Sequence, residues 1–317
     1  MNGFLPSKQH TYFKLWWQAI RPRTLLVSIA PVLLGQFLVW QAFDSNPGVV
    51  EQASVSEFSW WLALLCIFCA LMLQIAVNLA NDYFDYYSGV DGANRVGPKR
   101  VTQRNLIDPK KVKQGFIFFL LLGIFLGLVI LLTSSIQLLW LGILCVLAVL
   151  TYTSGPYPLA YNALGECIVF WIFGPIAVIG SYYAQYQTMD VWLWLPACQM
   201  GFLAAAIMLT NNIRDYSSDA AAGKRTVVFY MGVSNGRFAY QFMIILSVVC
   251  AIAYSVIRYE IALLTLLLLP GGIILCRSIG RRDGTELNRQ LGQTAQFMLG
   301  SSIFLILDLM LIKRWLL

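Results

Sequence analysis

Charge is scarce in this chain. Only 12% of its 317 residues are Asp, Glu, Lys or Arg, against roughly 25% in a soluble globular protein. A water-facing surface of ordinary composition cannot be built from so few. Histidine occurs once, as His10 in the N-terminal tail, which sets aside imidazole acid–base chemistry and histidine metal ligation. There is no G-x-x-x-x-G-K-[ST] loop, so a P-loop ATPase is excluded. No short apolar stretch precedes a small-residue cleavage site near the start, and no cleavable signal peptide is expected. Cys66-Ile-Phe-Cys69 has C-x-x-C spacing, but it lies in an apolar stretch without a basic neighbour. A reactive thiolate needs an electropositive, accessible setting, so these thiols read as packing.

What is present is hydrocarbon. Hydrophobic residues make up 59% of the chain, and mean hydropathy is +0.69. Stretches able to cross a ~30 Å apolar core fall at roughly 24–42, 59–80, 115–133, 137–152, 166–185, 191–210, 238–257, 260–276 and 295–312. The expectation is one all-α integral membrane domain over 1–317, with about nine transmembrane helices. Residues 1–20 form a cytoplasmic or interfacial N-terminal segment, where Trp16 and Trp17 suit the membrane boundary. With nine spans, nearly all Lys and Arg fall on one side, which the positive-inside rule assigns to the cytoplasm. The net charge of +7 is therefore a topology signal rather than a nucleic-acid footprint. Longer loops, at roughly 81–114, 153–165, 211–237 and 277–294, lie on that same side and are where function is expected.

Two acidic stretches end apolar runs on this side. The first contains Asn78, Asn81, Asp82, Asp85 and Asp91; the second contains Asn211, Arg214, Asp215 and Asp219. Carboxylates near hydrocarbon are costly and mark function by default. On a helix, Asn81 and Asp85 share a face, as do Asn78 and Asp82. Two unit negative charges ~6 Å apart repel by roughly 3 kcal/mol at an effective dielectric of 20, so five converging aspartates require cations. Hard oxygen donors of this kind suit Mg²⁺, which takes one or two carboxylates plus substrate phosphates. Asp82 is also placed to turn from the cavity toward Arg95, Arg100 or Arg104. Lys99, Arg100, Arg104, Arg214 and Lys224 complete a site for a diphosphate, since Arg grips phosphate bidentately and Lys acts as a point charge. Asp85…Asp91…Gly97…Lys99-Arg100…Thr102 is echoed by Asp215…Asp219…Gly223-Lys224-Arg225-Thr226, two similar units that can face each other across one cavity. The chemistry that remains is metal-assisted departure of a diphosphate. A third loop, from Tyr152 through Tyr157 and Tyr161 to Glu166, has no Lys or Arg. Its aromatic faces can stabilise a cationic species or stack on an aromatic acceptor.

These residues resemble the UbiA-type intramembrane prenyltransferases, and within them the 1,4-dihydroxy-2-naphthoate branch of menaquinone biosynthesis. The resemblance is carried by Arg21-Pro-Arg-Thr-Leu25, by Asn78 through Asp85 with Gly89-Val-Asp91 and Arg95-Val-Gly-Pro98, by Tyr152 through Glu166, and by Asn211 through Thr226. Asn105 departs from it, since related chains often carry glycine there. The resemblance implies helices around a central cavity open to the cytoplasm and to lipid. It implies that Asn81, Asp85, Asp91, Asp215 and Asp219 are the metal–diphosphate and catalytic residues, and that Lys224 and the loop cations hold the diphosphate. It also implies a polyprenyl diphosphate donor, an aromatic acceptor met by Asn78, Tyr152, Tyr161, Glu166 and Asn211, surrounding membrane lipid, and no protein partner. The bacterial inner membrane is the expected location. Other acceptors (4-hydroxybenzoate, homogentisate, a vitamin K precursor) and a cation-coupled transporter are the competing readings.

Overall fold

The computed structural model describes residues 8–45, 57–90, 96–259 and 263–316, and every regular element among them is a helix. Helix α1 (Lys8–Ile20) precedes the first span, and α2 (Pro22–Ser45) carries it. Pro22 opens α2 at a position where its missing N–H is no loss. The corner before it is made by Arg21 at φ 56°. Ser59 caps α3 (Trp60–Tyr87) by accepting the Leu62 N–H, and Asp108 with Pro109 starts α4 (Pro109–Thr133). The helix α5 (Leu138–Thr151) follows a tight turn. Helices α6 (Gly165–Trp171) and α7 (Ala177–Tyr186) form one span, interrupted by a widened turn at Ile172–Ile176. Pro175 lies in that turn and cannot donate to the helix ladder. The chain continues through α8 (Trp194–Arg214), the short α9 (Tyr216–Ala221), α10 (Val227–Tyr259), α11 (Leu268–Ile279) and α12 (Leu287–Leu316).

Among the described residues seven helices are long and apolar enough to cross a membrane; the other two expected spans match the shorter apolar helices Leu138–Thr151 and Thr265–Ile279. The protein is an integral membrane protein. At 1.5 Å per residue α5 covers about 21 Å, less than the ~30 Å hydrocarbon core. The last helix also begins before the expected 295–312, at Leu287. Its first turns hold Gln290 and Thr294, which hydropathy counts as loop. Both are fully buried. Gln290 Nε2 donates to Tyr240 Oη at 2.8 Å, and Tyr240 Oη and Thr294 Oγ1 are 2.7 Å apart, which fastens α12 to α10.

Close helix approach depends on small residues where no Cβ fits. A Cβ on Gly35 would stand 2.4 Å from the Val178 carbonyl oxygen, and one on Gly174 2.6 Å from that of Ala197. These contacts bring α2 to α7 and the broken span to α8. Helix α8 is the central pillar, with Ala204, Ala205 and Ala206 buried. Between α2, α3, α4, α5, α6–α7 and α8 lies a partly open apolar cavity of about 350 Å³.

Candidate active site

The cavity ends at polar residues from three helices. Asn81 of α3, Tyr152 after α5 and Asn211 of α8 line it, together with Arg21 and Asn78. Asn78 also ties α3 to the first corner, since its Nδ2 donates to the Ile20 carbonyl at 2.8 Å and to Thr24 Oγ1 at 2.9 Å. Asn81 presents its Oδ1 to the Thr153 hydroxyl at 2.9 Å. Tyr152 donates to Met208 Sδ at 3.1 Å.

The first acidic motif occupies the last turns of α3, because Gly89 at φ 76° lets the chain leave the helix only after Tyr87. Asp85 is 4% exposed. Its Oδ2 meets the Arg100 guanidinium at 2.6 Å, and its Oδ1 accepts the Tyr161 hydroxyl. Arg100 also donates to the Asn81 carbonyl. Asp82 goes elsewhere. Expected among the metal ligands or against an arginine, it is 1% exposed and bonded through carboxylate and carbonyl to the Thr102 hydroxyl. Sixty degrees around the helix from Asp85, it anchors the following loop instead. That loop turns at Asn105, φ 52°, a left-handed position that asparagine tolerates next after glycine. Lys99 and Arg104 are exposed on the same loop, while Arg100 reaches inward. Asp91 and Arg95 lie outside the described residues.

The second motif breaks where α8 ends. Asp215 has φ −95° and ψ 8°, between α8 and α9, yet the Asp219 N–H reaches its carbonyl at 2.8 Å and preserves the turn. Arg214 grips Asp215 with two bonds of 2.9 and 2.6 Å and donates to Asn288 of α12 at 2.7 Å. Gly97 lies flat against this guanidinium; a Cβ there would stand 2.6 Å from it. Arg214, expected at the diphosphate, is thus 6% exposed and clamped between Asp215, α12 and the first loop. Gly223 at φ 79° folds the chain so that Lys224 Nζ returns to Asp219 Oδ2 at 2.9 Å. Burial raises the Asp219 carboxyl above its ordinary value; Lys224 opposes this, and Asp215 and Asp85 add to it. Their mutual influence places the three aspartates in one electrostatic neighbourhood.

Tyr161 is the joint between the motifs. Its hydroxyl holds Asp85 and meets Ser88 Oγ at 3.0 Å, Lys224 Nζ sits 5.8 Å above its ring, and its carbonyl accepts the Arg225 N–H at 3.0 Å. Both motifs and the tyrosine loop therefore gather at one end of the bundle. Glu166 lies beside them, its Oε1 accepting Asn212 Nδ2 at 2.7 Å, while its Oε2 is buried with no hydrogen-bond partner.

Five contributors escaped the sequence reading. Arg21, Thr153 and Asn212 were noted only inside motifs and Thr102 only as part of the repeat, while Asn288 gave no signal. The donors fit a hard cation: they are oxygens of Asp85, Asp215, Asp219 and Asn81, without Cys or His between them. Among the described residues no three Asp, Glu, Cys or His side chains gather closely enough to hold a metal unaided. A cation held by these oxygens would need further ligands, such as the phosphate oxygens that commonly complete Mg²⁺ sites.

A profile of the UbiA prenyltransferase family matches residues 50–301. A 1,4-dihydroxy-2-naphthoate octaprenyltransferase of Haemophilus influenzae is 33% identical, over 77% of this chain and 77% of that protein. One of Mycobacterium tuberculosis is 37% identical, over 72% and 74%. A UbiA homologue from Archaeoglobus fulgidus bound to GPP and Mg²⁺ shares the fold, with a TM-score of 0.66 at 16% identity over 94% of this chain and 99% of that one.

Proposed function

The chain belongs to the UbiA prenyltransferase family, and from that premise we propose that it transfers the polyprenyl chain of a polyprenyl diphosphate to 1,4-dihydroxy-2-naphthoate. Diphosphate and carbon dioxide are released, and the product is demethylmenaquinol, the reduced form of demethylmenaquinone. The relatives from H. influenzae and M. tuberculosis bear the name of this activity. The observation that carries the reading is the meeting of an apolar cavity with two acidic, cation-paired motifs at one end of a membrane bundle.

Asp85, Asp215, Asp219 and Asn81 would hold Mg²⁺, with Asp91 expected beside them. When bound, the metal supplies positive charge against which the diphosphate leaves. Arg100 and Lys224 are already seated on Asp85 and Asp219. On binding they exchange carboxylate partners for phosphate oxygens, so the charged end is prepaid by ion pairs rather than by buried bare charge. The allylic C–O bond breaks, the ring carbon forms the new C–C bond, and the carboxyl group of the acceptor leaves as carbon dioxide. Tyr152 and Tyr161 offer aromatic faces to the reacting carbon and the acceptor ring. Asn78, Asn211 and Glu166 offer hydrogen bonds to the acceptor, and Arg21 at the cavity mouth suits its carboxylate. The apolar walls hold the isoprenoid tail and exclude water from the cation. The site end faces the cytoplasm of a bacterial inner membrane in this reading, because the basic loops lie there.

Lipid products formed from dihydroxynaphthoate and octaprenyl diphosphate, with and without Mg²⁺, test this by mass spectrometry. Asp85→Ala and Asp215→Ala are expected to remove Mg²⁺-dependent product while the protein stays folded in detergent. Near-normal turnover in either variant would falsify the metal assignment, and product only from another aromatic acceptor would reassign the substrate.

A further inference from the structure

The wall of the cavity has a gap where α5 forms it. Leu138, Leu141, Gly142, Cys145 and Val149 line the cavity at helical spacing. Trp140, Leu144 and Leu147 are the exposed residues of the opposite face. The wall here is one helix thick.

Gly142 differs from the glycines that bring helices together. At Gly35, Gly174 and Gly123 an added Cβ would strike a neighbouring helix at under 3.0 Å, whereas at Gly142 it would meet no atom within 4 Å. A glycine inside a helix costs about 1 kcal/mol relative to alanine, and here no close packing offsets that. What the missing side chain leaves is space on the cavity side. Gly142 lies ten residues before Tyr152, about 15 Å down the helix axis from the polar end. It is therefore remote from the polar end, on an apolar and accessible stretch of the cavity wall.

We propose that Gly142 determines which isoprenoid lengths the cavity accepts, by leaving a passage for the distal part of a long tail. This rests on the prenyl-transfer reading above and names a residue that selects the donor within it. A short tail ends before reaching Gly142 and is indifferent to it. A long tail must pass it.

The test uses the full chain in lipid nanodiscs with Mg²⁺ and dihydroxynaphthoate, and compares geranyl with octaprenyl diphosphate for wild type, Gly142→Ala, Gly142→Val and Gly142→Phe. Gly142→Phe is expected to lower kcat/KM for the octaprenyl donor by about tenfold or more, and for the geranyl donor by less than about threefold. Gly142→Val should fall between Phe and wild type, and Gly142→Ala, for which there is room, should fold normally with a small shift in the same direction. Leu144→Phe adds bulk to the outward face and should leave the donor ratio unchanged. An unchanged ratio in the Val and Phe variants overturns the proposal, and so does an equal loss of both donors in a Val variant that melts like wild type. Absence of product from wild type with either donor is a different result, and refutes the proposed function itself.

Discussion

Asp219 carries an acid–base consequence that its partners do not. Its carboxyl is raised by burial and by the neighbouring Asp215 and Asp85 charges, against the pull of Lys224. A raised value means that the folded site holds a proton at a pH where an ordinary aspartate has lost it. In the proposed site Mg²⁺ would have to displace that proton, so metal affinity would rise as pH climbs through the raised value and fall as pH drops through it. The Mg²⁺ concentration giving half-maximal turnover should therefore begin to increase at a higher pH than a solvated aspartate would dictate. Asp219→Asn should weaken Mg²⁺ binding and flatten that dependence. A wild-type Mg²⁺ requirement that stays level from neutral to mildly acidic pH argues against Asp219 as a ligand. At this scale much of the candidate site could be proposed from sequence, because an aspartate at the end of an apolar run has few cheap explanations. What was not legible was the division of labour. Asp82 and Asp85 are three residues apart, and only the hydroxyl of Thr102 and the guanidinium of Arg100 decide which of them faces the other motif. Arg214 had the same ambiguity, resolved by Asn288 and Gly97.

Among the elements, the start of α11 was the hardest to read. Hydropathy shows that α11 is apolar but not what starts it. The structure supplies an unusual cap, since the carboxylate of Asp308, in the middle of α12, accepts the Leu264 N–H at 2.7 Å and the Thr265 N–H at 2.8 Å, and also the Thr265 hydroxyl. Asp308 is 2% exposed, and its charge sits where the N-terminal end of a helix carries partial positive charge. Asp308→Ala leaves these buried donors without an acceptor and is expected to cost roughly 2–5 kcal/mol. Asp308→Asn, which keeps a carbonyl, should lose less. Thermal melting of both variants in one detergent checks this order; equal melting of Ala, Asn and wild type would leave the cap without energetic weight. An intramembrane aspartate reads by default as functional, and here it is a cap from another helix, invisible to any pattern within its own span. The break at Ile172–Ile176 is easier to understand afterwards, since Pro175 already forbids a regular ladder there.

The whole molecule is a bundle whose ends differ in chemistry. Loops bearing Arg100, Tyr161 and Lys224 meet at one end. The opposite end is closed by short turns around Ser134 and Thr188, with the Gln187 side chain donating to the Ser134 carbonyl at 3.1 Å. If the acidic end faces the cytoplasm, a cysteine placed at exposed Ser217 in a chain without its native cysteines should react with an impermeant maleimide only in inverted vesicles. One placed at exposed Met189 should react only in right-side-out vesicles or spheroplasts. The reverse pattern would place the site on the other side of the membrane. Composition and spacing alone determined that this chain inhabits a bilayer, roughly how often it traverses it, and that two acidic motifs and their neighbouring cations share one side. That much can be read in one dimension because charge in hydrocarbon is so costly that its position along the chain is constrained. Which carboxylates confront each other, that Tyr161 joins them, that Asn288 steadies Arg214 from 74 residues away, and where the cavity wall lacks a side chain were decided only by tertiary structure. Those facts depend on how helices rotate about their axes and how closely they approach. Such rotations are set by contacts between small residues such as Gly35 and Gly174 and the helices they meet, which no local pattern encodes.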